Sequence, residues 1–343
     1  LSGGSNINLM RAESPGPSVG KLVPKIRHTA RILYIIYFGL TVIEIIFLIF
    51  GKMPLFDAIA TALGTAGTGG FGIKNDSMAG YSVYIQWVVT IFMILFGVNF
   101  NAYYLAFFGS LKEALHVEEV RHYFLIILAS VVIISINIVH MCSGIFDAVT
   151  KAAFQVGSII TTTGFSTTDF DKWPEFSKGI LTLLMFIGAC AGSTGGGIKV
   201  SRCVIAVKSI FKELTSYIHP KSVKKITFEH KPVDHDVIRS INVYFMTFIV
   251  VFVASTLIVS IEGYDFSTNF TAVAATINNI GPGLSHVGPV QNFGFFNNIS
   301  KYVLMFDMLA GRLELFPLLI LFHPSIWKDF FIQADKRVKE RRI

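Results

Sequence analysis

Residues 159–170, IITTTGFSTTDF, set glycine and hydroxyl side chains between apolar segments, and weaker copies follow the same plan at 61–76 (TALGTAGTGGFGIKND) and 274–289 (AATINNIGPGLSHVGP). A module that returns about every hundred residues is architecture, so it governs the reading of everything around it. Each copy follows an apolar segment of helical length, at 55–66, 146–160 and 268–278. At roughly 1.5 Å per residue these segments are too short to cross ~30 Å of hydrocarbon. Longer apolar stretches flank them, at 32–50 and 82–108, 122–141 and 177–192, 241–261 and 299–322. The pattern predicts an all-α membrane protein of repeated units, each a helix, a re-entrant short helix, a loop and a returning helix.

The residue types of the loops limit their chemistry. Glycine and threonine carry no charge, but glycine frees the backbone and threonine adds a hydroxyl without bulk. Irregular backbone at membrane depth is tolerated only where it is packed in protein or lines a water-filled cavity. Rings of carbonyls that replace a cation's hydration shell are one known use of such backbone, and short helices ending at the loops would turn their negative dipole ends toward the same place. Alignment of the copies sets Gly70, Gly164 and Gly281 at one level. The carbonyls just before them belong to Thr68 and Gly69, Thr162 and Thr163, and Asn279 and Ile280. The third copy departs from the others in residue type but keeps the glycine. The threonine hydroxyls are candidates for a lower set of ligands or for caps of the short helices.

Composition agrees with a polytopic membrane protein: 52% of residues are hydrophobic and 15% charged. The net charge of +7 does not point to nucleic acid, because 22 of the 29 lysines and arginines fall in four stretches, 1–31, 110–121, 199–239 and 328–343. All four lie on one side of the membrane if the short helices and loops open to the other. The positive-inside rule then places both termini and the basic loops in the cytoplasm. Cys142, Cys190 and Cys203 form neither a disulfide framework nor a metal-ligand pattern.

The returning stretch of the middle unit runs into GACAGSTGGGIKVSR, residues 188–202. Gly192, Gly195, Gly196 and Gly197 crowd six positions, and at roughly 1 kcal/mol each relative to alanine they predict an unwound segment. A phosphate-binding loop is excluded, because Ile198 rather than lysine follows Gly197 and no strand precedes the run. EHKPVDHD, residues 229–236, lacks a histidine pair at helical spacing, is interrupted by Pro232, and reads as a solvated loop rather than a metal site. Glu44 is an intramembrane carboxylate expected to be hydrogen-bonded between helices, Asp57 and Asp147 are expected to complement the starts of short helices, and Pro317 is expected to kink the last one. His122 and His140 stand at span ends without partners, which leaves no constellation for an intramembrane enzyme.

TTTGFSTTDF, GACAGSTGGGIKVSR, NNIGPGLSHVGP and AGRLELFPLLILF together resemble the TrkH/KtrB family of bacterial potassium-uptake subunits, and the resemblance covers nearly the whole chain. It implies a pseudo-four-fold pore that passes potassium through a carbonyl-lined filter. That family has four pore modules. The resemblance identifies 1–31 as a cytoplasmic linker, 32–121 as the second module, 122–239 as the third, 240–327 as the fourth and 328–343 as a basic cytoplasmic tail, with a first module expected upstream. It further implies that segment 192–197 is an intramembrane gate, that Arg312 faces the pore beneath the filter, and that the subunit is a homodimer in the bacterial inner membrane. The same resemblance implies a cytoplasmic nucleotide-binding regulatory subunit of TrkA/KtrA type on the basic inner surface. No cofactor is expected in the chain itself, and potassium is its transported ligand. A sodium-permeable or sodium-coupled transporter and a non-transporting structural or sensor homologue are the alternative readings.

Overall fold

The computed structural model describes residues 26–219, 225–229, 231–322 and 324. The greater part of the expected 1–31 linker and the whole of the 328–343 tail lie outside the described residues. The first unit comprises α1 (Ile26–Phe50), α2 (Leu55–Ala66) and α3 (Val83–Phe96), followed by α4 (Phe100–Phe108) and α5 (Leu111–His116). The second comprises α6 (Glu118–Ile138), α7 (Ile145–Ile160), α8 (Glu175–Ile187) and α9 (Val200–Ile218). A small antiparallel hairpin, β1 (Thr227–Phe228) with β2 (Lys231–Pro232), precedes the third unit and pairs Thr227 with Pro232. That unit comprises α10 (His235–Ser260), α11 (Phe266–Ile277), α12 (Asn298–Arg312) and α13 (Leu315–Ile320).

The fold is all-α and polytopic, and its burial is arranged from the short helices outward. Residues 152–160 of α7 and 271–277 of α11 are buried without interruption, so these helices are sheathed by protein on every side. The leading helices do the reverse. Ile35 and Phe38 of α1, Leu125 and Leu128 of α6, and Met246 and Val250 of α10 point outward. Among the described residues, α1, α6 and α10 supply the unbroken helices long and apolar enough to cross a membrane. Hydrocarbon satisfies no backbone group, which is why the helices that meet lipid are continuous and the irregular backbone lies inside them.

All three returning helices are broken, where the sequence predicts continuous spans at 82–108 and 299–322 and an interruption only in the middle unit. Between α3 and α4 the chain turns by 93° at residues 97–99. A Cβ on Gly97 would lie 2.3 Å from the Tyr123 hydroxyl of α6, and the Asn99 side chain caps α4 by accepting from the Asn101 amide at 2.9 Å. In the second unit, residues 188–199 are non-helical. In the third, the break falls at Leu313 and Glu314, whose φ is 64°, rather than at Pro317. Pro317 is the third residue of α13, within the first turn, where a missing N–H leaves no intrahelical bond unmade.

Overpacking of this kind typically costs about 1–3 kcal/mol. Gly97→Ala is therefore expected to lower the melting temperature of the detergent-solubilised protein, and adding Tyr123→Phe, which removes the clashing hydroxyl, is expected to restore part of the loss; fluorescence-detected size-exclusion after heating measures both.

Candidate functional site

The short helices end alike. Helix α2 is followed by Gly67 and then Thr68 at φ 48°, α7 by Thr161 and Thr162 at 59°, α11 by Asn278 and Asn279 at 58°. In each turn the left-handed residue donates its amide three residues back: Thr68 to Thr65, Thr162 to Ile159 and Asn279 to Thr276, all at 3.0 Å. The next amide reaches five back, Gly69 to Gly64 at 2.8 Å, Thr163 to Ser158 at 2.9 Å and Ile280 to Ala275 at 2.8 Å. This is the Schellman termination, which usually places glycine at the left-handed position. Threonine there costs roughly 1–2 kcal/mol. Three sequences of different composition thus take one backbone path, and Gly70, Gly164 and Gly281 follow at φ 62°, 88° and 105°.

The turns are neighbours around a common axis. A Cβ on Gly70 would lie 2.0 Å from the Thr163 carbonyl oxygen, and one on Gly164 would lie 1.9 Å from that of Ile280. Only glycine fits either place. The six carbonyls of Thr68, Gly69, Thr162, Thr163, Asn279 and Ile280 accept no hydrogen bond among the described residues. Behind them the turn of α7 is braced by the Ser158 hydroxyl, which donates to the Phe165 carbonyl at 2.6 Å. Above the three glycines opens a cavity of about 260 Å³, whose wall includes Lys74, Ser77 and Gln291. Asp57, in the first turn of α2, makes no cap there: it accepts from the Tyr81 hydroxyl at 2.8 Å. Burial and the facing Asp57 carboxylate push that hydroxyl up to about 12. Asp147 accepts from the Ser143 amide at 3.1 Å and pairs with Lys151 at 2.7 Å, at the start of α7.

Below the turns lies the unwound segment, which at 188–199 is longer than the predicted 192–197 by four residues before it and two after. Gly188 and Gly197, both at positive φ, pack backbone to backbone, and a Cβ on Gly197 would lie 2.6 Å from the Gly188 Cα. The tip reaches the floor of the turns. The Gly196 amide donates to Thr162 Oγ1 at 2.6 Å, and Thr68 Oγ1 donates to the Thr194 carbonyl at 2.9 Å. A Cβ on Gly195 would sit 3.0 Å from the Thr161 carbonyl oxygen and one on Gly196 2.9 Å from that of Asn278, so side chains are excluded here too. Arg312 donates to the Thr194 carbonyl at 3.3 Å and to that of Gly67 at 3.5 Å. Lys199 bonds the carbonyl of Gly195 and that of Gly196.

The sides and base of the segment use the break in the first unit. Cys190 donates its amide to the Gly97 carbonyl at 3.0 Å, and the Phe100 amide, freed by the bend, donates to Gly192 at 3.1 Å. Glu119, buried at the start of α6, accepts from the Ala191 amide at 2.7 Å and the Ser201 amide at 3.1 Å through one oxygen, and from Asn99 at 3.3 Å through the other. Nearby, Arg202 pairs with Glu314 at 3.0 Å and lies 4.2 Å over the Tyr244 ring. Glu314 therefore serves Arg202 rather than Arg312, and Asp307 faces α10, accepting from Ser255 at 2.8 Å. Glu44 is fully buried; its carboxylate oxygens make no hydrogen bond of ordinary geometry among the described residues, and the polar group that faces them from the neighbouring helix is the Thr65 side chain of α2.

Comparison with known proteins gives this arrangement its family. The TrkH family, described as a cation transport protein, matches residues 2–331. The chain belongs to the TrkH family. The Trk system potassium uptake protein TrkH of Salmonella typhimurium is 37% identical over 337 residues, 96% of this chain and 69% of that protein. The Trk system potassium uptake protein TrkG of Escherichia coli is 33% identical over 335 residues, 96% and 68% of the two chains. The crystal structure of the potassium transporter TrkH from Vibrio parahaemolyticus matches with a TM-score of 0.82 at 35% identity, covering 90% of this chain and 67% of that one. Membership in the TrkH family makes the chain an integral membrane transport protein and not an enzyme.

For this TrkH-family chain, the residues singled out in sequence fall in two layers, the three turns above and residues 192–197 with Arg312 below. Glu119, Lys199 and Asn99 complete the lower layer and were not singled out. Glu119 reads from sequence as an ordinary acidic residue in a helix's first turn, and nothing local signals that it reaches residues 72 and 82 positions away. Leaving a buried donor unpaired costs about 1–3 kcal/mol. Glu119→Ala is expected to free the base of the segment and speed maleimide labelling of a cysteine placed at Ser193, whereas Glu119→Gln, whose oxygen still accepts, is expected to label near the wild-type rate.

Proposed function

We propose that the chain carries potassium ions into a bacterial cell through a filter built from the three turns, with Thr68, Gly69 and Gly70, Thr162, Thr163 and Gly164, and Asn279, Ile280 and Gly281 around the ion path. The observation that carries this reading is the set of six carbonyls, two from each turn, that accept no hydrogen bond among the described residues. Buried carbonyls are almost always paired, and a dehydrated cation is a partner that suits them. The short helices aim their negative ends at the same turns. Potassium as the ion follows the names of the relatives, and a filter of neutral oxygens with no carboxylate fits a large, weakly hydrated monovalent cation.

Segment 192–197 and Arg312 serve as the gate in this reading. The tip of the segment lies against the carbonyls of Thr161 and Asn278, and Arg312 bonds that of Gly67, so the ring of oxygens next below the filter is covered. A guanidinium beneath the filter also opposes a cation on the axis. Opening consists of withdrawing the tip and turning Arg312 aside, after which the membrane potential drives each ion inward with about 2.3 kcal/mol per 100 mV.

The basic inner face, with Lys208 and Lys212 on α9, lies in the cytoplasm of a bacterium by the positive-inside rule, and the outer cavity faces the exterior. The Trk name of the relatives implies further components. A nucleotide-binding regulatory subunit of TrkA/KtrA type docks on this inner face of a homodimer, holds any nucleotide itself, and acts on the gate through α9, which continues directly from it.

Gly164→Asp places a carboxylate where a Cβ already meets the Ile280 oxygen, and Gly164→Ala retains that clash. Both substitutions are expected to abolish rescue of a potassium-uptake-deficient bacterium on low potassium, with the protein still present in its membrane. Rescue by Gly164→Asp at the wild-type level would remove the filter assignment, and sodium uptake without potassium uptake in the unaltered protein would shift the reading to the sodium-permeable alternative.

A further inference from the structure

Thr68 and Thr162 hold the left-handed position of their turns, a conformation that glycine adopts freely and a β-branched residue resists. What threonine adds is a hydroxyl, and both hydroxyls reach the same segment. Thr162 Oγ1 accepts the Gly196 amide at 2.6 Å, while Thr68 Oγ1 lies 2.9 Å from the Thr194 carbonyl and 2.8 Å from that of its neighbour Gly67, which share its one proton. The equivalent residue of the third turn, Asn279, makes no such bond: its Nδ2 is buried without a partner, close to where a Cβ on Gly311 would lie. The strained threonines are thus the ones that touch the gate.

Each hydroxyl belongs to a residue whose own carbonyl is among the six free ones, so it lies at the foot of the filter. An amide proton and an alkali cation compete for the same lone pair of a hydroxyl oxygen. We propose that the Thr162 hydroxyl alternates between two partners, the Gly196 amide of the glycine-rich segment when the path is closed and the transported cation when it is open. The Thr68 hydroxyl follows the segment only through the proton it donates to Thr194. Release of the gate and completion of the lowest cation site are then one event. The proposal rests on the filter and gate reading above and adds a coupling that neither part contains alone.

The exchange leaves no hydroxyl unsatisfied. In the closed arrangement Thr162 Oγ1 has the Gly196 amide; with the segment withdrawn, its lone pairs face the ion path. Thr68 shares its one proton between the Thr194 and Gly67 carbonyls in the closed arrangement and gives it to Gly67 alone once Thr194 has left. Cation occupancy at the foot of the filter therefore favours the open gate, because it replaces the bond that opening breaks at Thr162.

The test is rubidium flux into vesicles holding the purified full chain, measured without any activating partner and over a range of cation concentrations. Thr162→Val keeps the shape and removes the hydroxyl. It is expected to raise resting flux severalfold and also to raise the half-saturating concentration severalfold, while Thr162→Ser behaves as wild type in both. Gly196→Ala, whose Cβ would press on the Asn278 oxygen at 2.9 Å and on Thr162 Oγ1 at 3.1 Å, pushes the segment away without altering the filter. It is expected to raise resting flux and to lower the half-saturating concentration, the opposite of Thr162→Val, because an open gate frees the Thr162 hydroxyl for the cation. A Thr162→Val protein that changes only one of the two quantities, or neither, overturns the double role. If that variant does not fold, Thr162→Ala is read by the same criteria. Gly164→Asp separates the two levels: flux surviving there overturns the filter itself, whereas a silent Thr162→Val beside an inactive Gly164→Asp removes only the coupling.

Discussion

Inside hydrocarbon a backbone carbonyl without a donor is expensive, and this chain gathers such carbonyls in three neighbouring turns instead of avoiding them. Everything else in the structure protects that choice. The short helices α2, α7 and α11 end in one hydrogen-bonding pattern that turns the next carbonyls away from the helix, and the long helices α1, α6 and α10 keep lipid from them. The glycines at 70 and 164 are fixed by contact with the neighbouring turn rather than by their own dihedrals alone, since a Cβ at either place would strike a carbonyl oxygen.

The same constraint accounts for the broken returning helices. A helix that ran unbroken past the turns would leave no backbone groups free to hold a non-helical segment beneath them. The bend at 97–99 frees the Phe100 amide and the Gly97 carbonyl, and these pair with Gly192 and Cys190. The irregular backbone of one unit is thereby satisfied by the irregular backbone of another. Each break thus supplies hydrogen-bond partners to the other.

Much of the fold was legible because it depends on local rules. The short helix at 55–66 is found with those bounds, and four glycines in six positions unwind a helix wherever they occur. The break at 97–99 was not legible, since one glycine in a strongly apolar run costs a helix only about 1 kcal/mol, and what decides the matter is the Tyr123 hydroxyl on another helix. Charge misled in one respect. Lys199 and Arg202 belong by position to a basic stretch that reads as cytoplasmic loop, yet Arg202 is buried on Tyr244 and Lys199 bonds the carbonyls of Gly195 and Gly196. Sequence gives the sign and the number of such charges, but not which of them face inward.

Glu119 holds the amides on either side of the glycine-rich segment with a single oxygen. A loop pinned at its base in this way has already lost most of the chain entropy that closing it requires, whatever its tip does. Lifting the tip is then a pivot rather than a local unfolding, and its free energy reduces to the few hydrogen bonds at the tip. Such a device has a threshold that one substitution at the tip can reset while the thermal stability of the surrounding helices stays the same.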